Sequence, residues 1–146
     1  MARVDFYQLS RDPAEAVLPL IARATRNAGE RLLVVSGDDA QLGLIGDALW
    51  ERAPEAFLAN GRADAAHADR QPILLSGKAE ALNGARYIAL ADGVWRDEAD
   101  GFDRVFLLFG DAGLDGARQC WRMLGQRDGA ERRFWKQDGG KWREGP

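Results

Sequence analysis

Short apolar runs, of the length of buried strands, recur along the chain between longer stretches with helical or polar patterns. One run alternates in polarity at residues 4–9, and four continuous ones occupy residues 32–35, 73–75, 87–90 and 105–109. Helical spacing between the first runs gives the order strand, helix, strand, helix. This order predicts an α/β fold: one three-layer domain over residues 1–146, with a mostly parallel sheet and right-handed crossovers.

The first predicted helix covers residues 13–28 and carries apolar side chains at helical spacing, namely Val17, Leu18, Leu20, Ile21 and Ala24. Ser10 to Pro13 offers a cap and a proline suited to a first turn. Pro19 lies inside the pattern and should kink the helix or shift its start. A second helix, capped by Asp38 or Asp39, has a buried stripe formed by Leu42, Ile45 and Leu49.

Two polar segments interrupt this order. Residues 60–72 are small, polar and poor in apolar side chains, which predicts a flexible surface loop around the solvated His67. Near the end of the chain, residues 131–136 and 141–143 flank Asp138-Gly-Gly140, a turn signal that predicts a C-terminal hairpin.

Residues 104–124 join a buried strand to an amphipathic helix through Gly110-Asp-Ala-Gly113. Such a turn is the usual place of a ligand in an open α/β sheet, so a nucleotide phosphate is one possible occupant. The glycine spacing is not that of a dinucleotide fingerprint, and Asp111 and Asp115 would repel a pyrophosphate at the helix N-terminus. The glycines are better explained as turn and cap residues.

The helix that follows the turn offers a different kind of site. Ala117, Cys120 and Leu124 share its buried side, whereas Arg118 and Arg122 stack one turn apart on the adjoining edge. Trp121 lies at the border between them. An apolar ledge rimmed by guanidinium groups suits a peptide with a hydrophobic terminal residue and a free carboxylate. A structural Trp beside solvated arginines is the alternative.

Trp50 and Phe57 stand outside the buried stripe of the second helix, beside a short turn at residues 54–58. Large aromatic residues next to a loop usually cover the end of a core, and the pattern alone favours that interpretation. An exposed anchor for a partner protein is the alternative.

Composition bounds the remaining choices. The 146 residues are 46% hydrophobic and 29% charged, as in a soluble globular domain. One cysteine and one histidine exclude a disulfide framework and a Cys/His zinc site. No stretch has the length of a membrane span or the pattern of a signal peptide, which predicts a cytoplasmic protein.

The net charge of −3 is unevenly distributed, because residues 118–143 carry +5 and the rest of the chain −8. The basic end suggests an acidic partner, or else a solvated basic surface.

Several motifs resemble the chi subunit of the bacterial DNA polymerase III holoenzyme. They are Asp5-Phe-Tyr-x-Leu9, Gly29-x-Arg31-x-Leu-Val-Val, Asp38-Asp39-x-Gln41, Asp47-Ala-Leu-Trp50-x-x-x-x-Glu55-x-Phe57-x-x-Asn60 and Pro72-Ile73-Leu74-Leu75. The segment from Asp47 to Asn60 is the most specific, and the resemblance extends over essentially the whole chain.

The resemblance implies a Rossmann-like accessory subunit that has no catalytic residue, cofactor or metal. Members link the clamp loader to single-stranded DNA-binding protein by gripping its acidic C-terminal tail, which ends in an apolar residue and a free carboxylate. By position, the tail-binding residues would be Arg118, Trp121, Arg122 and an apolar neighbour at Leu107 or Phe109.

The same resemblance assigns Trp50 and Phe57 to a surface that docks the psi subunit or a competing repair helicase. The protein would then act as a monomer or heterodimer and meet DNA indirectly, through its partners. The alternative is a nucleotide- or nucleic-acid-binding protein that uses the turn at residues 110–116 or the basic C-terminal end.

Overall fold

The computed structural model describes residues 3–10, 12–51, 57–127, 129–138 and 141–145. Within them, eight strands and three helices form one α/β domain. In chain order these are β1 (Arg3–Gln8), α1 (Ala14–Asn27), β2 (Leu32–Val35), α2 (Asp39–Glu51), β3 (Asn60–Arg62), β4 (Ile73–Ser76), β5 (Tyr87–Leu90), β6 (Arg104–Phe109), α3 (Leu114–Gly125), β7 (Glu131–Asp138) and β8 (Lys141–Glu144).

The strands form a single sheet in the order β3-β4-β2-β5-β6-β1-β7-β8. Every neighbouring pair is parallel except β7 and β8, which pair antiparallel as the hairpin signal predicts. The predicted fold class is therefore confirmed. Strand β1 lies between β6 and β7, so Phe6 is level with Leu107 on one side and Phe134 on the other.

Apolar clusters cover both faces of the sheet, which is why its central strands are continuous apolar runs rather than alternating ones. All four side chains of β2 are buried. Helices α1 and α2 pack on one face through residues such as Leu18, Ile45 and Leu49. Helix α3 packs on the other, where Ala117 belongs to the second cluster.

A buried carboxylate fastens the hairpin to the rest of the sheet. Asp5 of β1 is fully buried and accepts hydrogen bonds from Arg104 Nε (3.0 Å) and from the indole N–H of Trp135 (3.1 Å). These residues belong to β6 and β7, so the charge-assisted bonds hold the two strands against β1. Strand β7 of the hairpin is therefore held in the sheet by side-chain hydrogen bonds as well as by backbone pairing.

The start of α1 differs from the prediction. The helix begins at Ala14, and its N-cap is Pro13, which makes no side-chain capping hydrogen bond. A cap from Ser10 was wrong, because that hydroxyl donates to the carbonyl of Gln137 on β7 (3.0 Å). The helix runs through the buried Pro19 without a shifted start, and Leu20 is 62% exposed, outside the buried stripe.

Helix α2 follows its prediction. The N–H groups of Ala40 and Gln41 donate to Asp38 Oδ1 at 3.0 and 3.3 Å, so Asp38 is the capping residue. The predicted stripe of Leu42, Ile45 and Leu49 is buried. This local pattern was sufficient because the cap and the stripe both depend on neighbours within one helix.

The segment predicted as a flexible loop, residues 60–72, is more ordered than its composition indicates. It contains the edge strand β3, which pairs parallel with β4, and a 3-10 turn at Ala68–Arg70. The Arg62 guanidinium binds Asp39 at 2.9 Å. Backbone pairing with β4 and this ion pair hold β3 in place. Its side chains are only partly buried, which is why its sequence has no apolar run. Residues 54–56 of the turn predicted at residues 54–58, and Gly139-Gly140 of the predicted hairpin turn, lie outside the described residues.

Candidate functional site

A cleft of about 410 Å³ runs along one edge of α3, between the helix and strands β1 and β7. We call it the α3 groove. Its lining residues are Gln8, Leu114, Ala117, Arg118, Trp121, Arg122, Phe134 and Lys136. Three of the five residues predicted for tail binding, Arg118, Trp121 and Arg122, thus share one cleft.

Helical periodicity places these three side chains. Ala117, Cys120 and Leu124 point into the core and are buried, as predicted. Arg118 and Arg122 stay exposed, and Trp121 is partly exposed between the two sets. The helix thus presents one apolar ring flanked by two cations one turn apart.

Aromatic and cationic neighbours fix the indole ring of Trp121. Phe6 meets it edge-on with ring centroids 5.2 Å apart, and Phe134 does so at 5.9 Å. The Arg132 guanidinium lies 4.3 Å from the ring centroid and donates a hydrogen bond to the Trp121 carbonyl at 2.7 Å. A side chain at Gly125 would come within 2.6 Å of that guanidinium, so the glycine leaves room for it. The ring is therefore pre-positioned.

The floor of the groove is formed by Phe134, which sequence reasoning did not single out. Its ring stacks on Phe6 at 6.4 Å and meets Phe109 edge-on at 5.9 Å. Leu107 and Phe109, the other two predicted site residues, are only 1% and 2% exposed and lie beneath this floor. They support the groove from below and do not line it.

Positive charge surrounds the opening. Arg118, Arg122 and Lys136 are exposed, and none of them forms an ion pair with another residue in the described part of the chain. Two nearby arginines differ, since Arg127 binds Asp100 and Arg133 binds Glu131. The groove is therefore an apolar cleft rimmed by three cations that lack an ion-pair partner among the described residues, a combination that suits an anionic ligand with an apolar end.

Two further residues of the groove, Gln8 and Lys136, come from strands far apart in sequence. Gln8 ends β1 and is level with Lys136 on β7. The alternation of β7 predicts that Arg132, Phe134 and Lys136 share a face. Nothing in the sequence indicates that β7 lies beside β1, however, so these residues could not be joined to α3 before the fold was known.

The second predicted surface contains the aromatic residues Trp50 and Phe57. Trp50 is 53% exposed at the end of α2, and Phe57 is 82% exposed. The interpretation that they cover the core was wrong, because both rings lie largely in solvent. Phe57 also has a positive φ of 50°, which is unfavourable for a bulky residue. Leu44, 54% exposed on the same helix, adds apolar surface that the sequence pattern did not reveal.

A sequence model of the DNA polymerase III chi subunit, HolC, matches residues 1–131. The chain belongs to this family. Its members are accessory subunits of the polymerase holoenzyme, in agreement with the resemblance seen in the sequence motifs. Comparison with curated protein sequences gave no match. The family match ends at the first residue of β7, so the groove residues Phe134 and Lys136 lie beyond it.

In this member of the chi family, an ion pair bridges the carboxyl ends of two central strands. The ends of β2 and β5 are bridged by Asp92, which accepts a hydrogen bond from the Gly37 N–H (2.8 Å) and two from Arg96 (2.9 Å each). Partial burial opposes ionisation, but the hydrogen bonds from Arg96 and two backbone N–H groups outweigh it and lower the pKa of Asp92. The ion pair lies at the strand ends, where open α/β sheets commonly bind ligands, beside a cavity of about 500 Å³ whose lining includes Gly37 and Ser76.

The Gly-rich turn itself forms a 3-10 turn at Asp111–Gly113, after which α3 begins with Gly113 as its N-cap. Asp111 and Asp115 remain exposed beside the helix N-terminus. Their carboxylates already provide the negative charge that the helix dipole favours and would repel a phosphate. The groove begins at Leu114, just after this turn.

Other chemistry in the described residues is limited. They contain no group of three or more His, Cys, Asp or Glu side chains that could hold a metal ion. None of their helices combines the length and apolar character needed to cross a membrane. Burial raises the pKa of the Cys120 thiol to about 12, so this cysteine is not poised to act as a nucleophile.

Proposed function

We propose that this protein is a non-catalytic replisome subunit whose α3 groove binds the acidic C-terminal tail of single-stranded DNA-binding protein. The observation that carries the proposal is the apolar groove with three cations at its rim that form no ion pair with any residue the structure describes. The tail has the complementary chemistry, since it is acidic and ends in an apolar residue with a free carboxylate.

The groove offers a separate place to each part of such a tail. The terminal apolar side chain enters between Leu114, Trp121 and Phe134, which are apolar and partly exposed. Arg118 lies at the rim and can pair bidentately with the terminal carboxylate. Arg122 and Lys136 remain for acidic side chains. Leu107 and Phe109 act only from beneath, by holding the floor in place.

The second surface supplies the link to other machinery. Trp50 and Phe57 expose aromatic area, which is typical of interface anchors, on the side of the sheet opposite α3. We assign this surface to the psi subunit of the clamp loader or to a repair helicase. The protein would then be a monomer that forms a heterodimer with psi and reaches DNA through its partners.

Titration of a labelled tail peptide tests the groove. Arg118→Ala should weaken binding by about tenfold or more, because a hydrogen bond to a charged group contributes roughly 1.5–3 kcal/mol. Arg23→Ala is the matched control, since Arg23 is an exposed arginine on α1. Binding should also weaken with salt. Failure of the wild type to bind the peptide would overturn the proposal.

The basic C-terminal end supports one other function, direct binding of nucleic acid or nucleotide. Saturable binding of single-stranded DNA or ATP to the isolated protein would favour it. The exposed carboxylates of Asp111 and Asp115 weigh against a nucleotide at the turn of residues 110–116.

A further inference from the structure

Charge is segregated between the two faces of the β7–β8 hairpin. Side chains alternate along each strand, and residues directly opposite in an antiparallel pair share a face. Lys136 is opposite Arg143, and Asp138 is opposite Lys141. The face that contains the groove residue Phe134 therefore carries Arg132, Lys136, Asp138, Lys141 and Arg143. The other face carries Arg133 with Glu131 and Glu144.

The groove-side face keeps unpaired positive charge. Its one carboxylate, Asp138, binds Arg143 at 3.0 Å, and Arg132 is engaged with Trp121. Lys136 and Lys141 are both exposed and make no ion pair within the described residues. On the opposite face, Arg133 is neutralised by Glu131 (3.2 Å) and Glu144 (3.4 Å). The free charge is thus confined to the side of the hairpin that the groove opens onto.

The groove and the hairpin surface are continuous. Lys136 lines the α3 groove and also a second cavity of about 360 Å³ at the edge of the hairpin, whose other lining residues are Gln137, Asp138, Arg143, Glu144 and Gly145. Along the strand, Lys141 lies about two residues beyond Lys136, or roughly 7 Å further from the groove. Past Lys136 a bound chain would run beside the Arg143–Asp138 ion pair, and the next cation without an ion pair among the described residues of this face is Lys141.

We propose that the hairpin is a second half of the peptide site, in which Lys136 and Lys141 attract the acidic side chains that precede the tail's terminal residue. This proposal rests on the proposed function and extends it to a segment that the family match does not reach. The α3 groove holds the C-terminal end of the peptide, and the hairpin determines how much the acidic side chains of the peptide add to the binding affinity.

The aromatic residues of the hairpin favour an acidic peptide over single-stranded nucleic acid. Nucleic-acid-binding grooves pair basic residues with exposed aromatic rings on which bases stack. Here Trp135 and Trp142 are on the face away from the groove: the Trp135 indole donates to Asp5, and Trp142 packs edge-on against Tyr7 at 5.1 Å. Phe134 is enclosed between Phe6 and Trp121. Trp121 and Phe134 expose their rings only inside the α3 groove, so among the described residues the hairpin surface from Lys136 to Lys141 offers no ring on which a base could stack.

Two peptides and two matched variants test this. One peptide is acidic and ends in an apolar residue with a free carboxylate; in the other, each Asp is replaced by Asn. Lys141→Gln should weaken binding of the acidic peptide about two- to fivefold at low salt, reduce its salt dependence, and leave the neutral peptide unaffected. Arg133→Gln removes the same charge from the other face and should change neither affinity. Circular dichroism checks that both variants fold.

Equal affinity of Lys141→Gln and Arg133→Gln for the acidic peptide would overturn the hairpin proposal. If the hairpin proposal failed in this way but Arg118→Ala still lost peptide binding, the proposed function of the α3 groove would stand without a contribution from the hairpin. A wild type that binds neither peptide would instead remove the proposed function itself. Oligothymidylate serves as a third ligand: binding that Lys141→Gln weakens, with peptide affinity unchanged, would assign this face to nucleic acid and refute the proposal.

Discussion

Replacement of Trp121 by alanine should weaken tail-peptide binding by about 1–3 kcal/mol, or roughly 5- to 150-fold, as expected for an interface anchor. The ring is held between Phe6 and Phe134, and its remaining surface faces the groove. A peptide that covers about 40–80 Å² of this surface gains roughly 1–2 kcal/mol at ~25 cal/mol per Å². Loss of the groove wall accounts for the rest.

The same substitution also costs stability, and the assay must separate the two effects. Trp121→Ala removes two edge-on ring contacts of about 0.5–1.5 kcal/mol each. Urea denaturation measures this loss, and isothermal titration at a temperature where the variant remains folded measures binding. Trp121→Tyr keeps an aromatic ring and should retain most of the affinity. A folded Trp121→Ala protein that binds as tightly as the wild type would refute the role of this ring.

Two other predictions concern surfaces away from the groove. Trp50→Ala should leave tail binding and stability nearly unchanged, because the ring is 53% exposed on the opposite side of the sheet. It should weaken only the capture of psi or a helicase in a pull-down. A loss of tail binding would contradict the assignment of the two partners to separate sites. Asp92→Asn should reduce the loss of folding stability that the wild type shows as the pH falls below about 4. The folded-state pKa lies below the ordinary 3.8, so this stabilisation is present above about pH 4 and is lost as pH falls through the folded pKa. Denaturation midpoints from pH 2 to 7 that fall equally in the variant and the wild type would contradict this.

Patterns that depend on near neighbours in sequence were predicted correctly. The apolar runs of the central strands, the Asp38 cap of α2 and the buried side of α3 follow from local rules of period and capping. Errors arose where a distant partner decided the outcome. The hydroxyl of Ser10 bonds Gln137 rather than capping α1, and β3 is held by pairing with β4.

The sequence by itself determined the part of the candidate site that α3 contributes. Arg118, Trp121 and Arg122 lie within five consecutive residues of one helix, so the helical period alone brings them to a common edge. Gln8, Phe134 and Lys136 join them only because β1 is inserted between β6 and β7, and strand order is not encoded in any local pattern. Burial of Leu107 and Phe109 beneath the groove and exposure of Trp50 and Phe57 were likewise decided by tertiary packing, since whether a neighbour covers a side chain depends on elements distant in sequence.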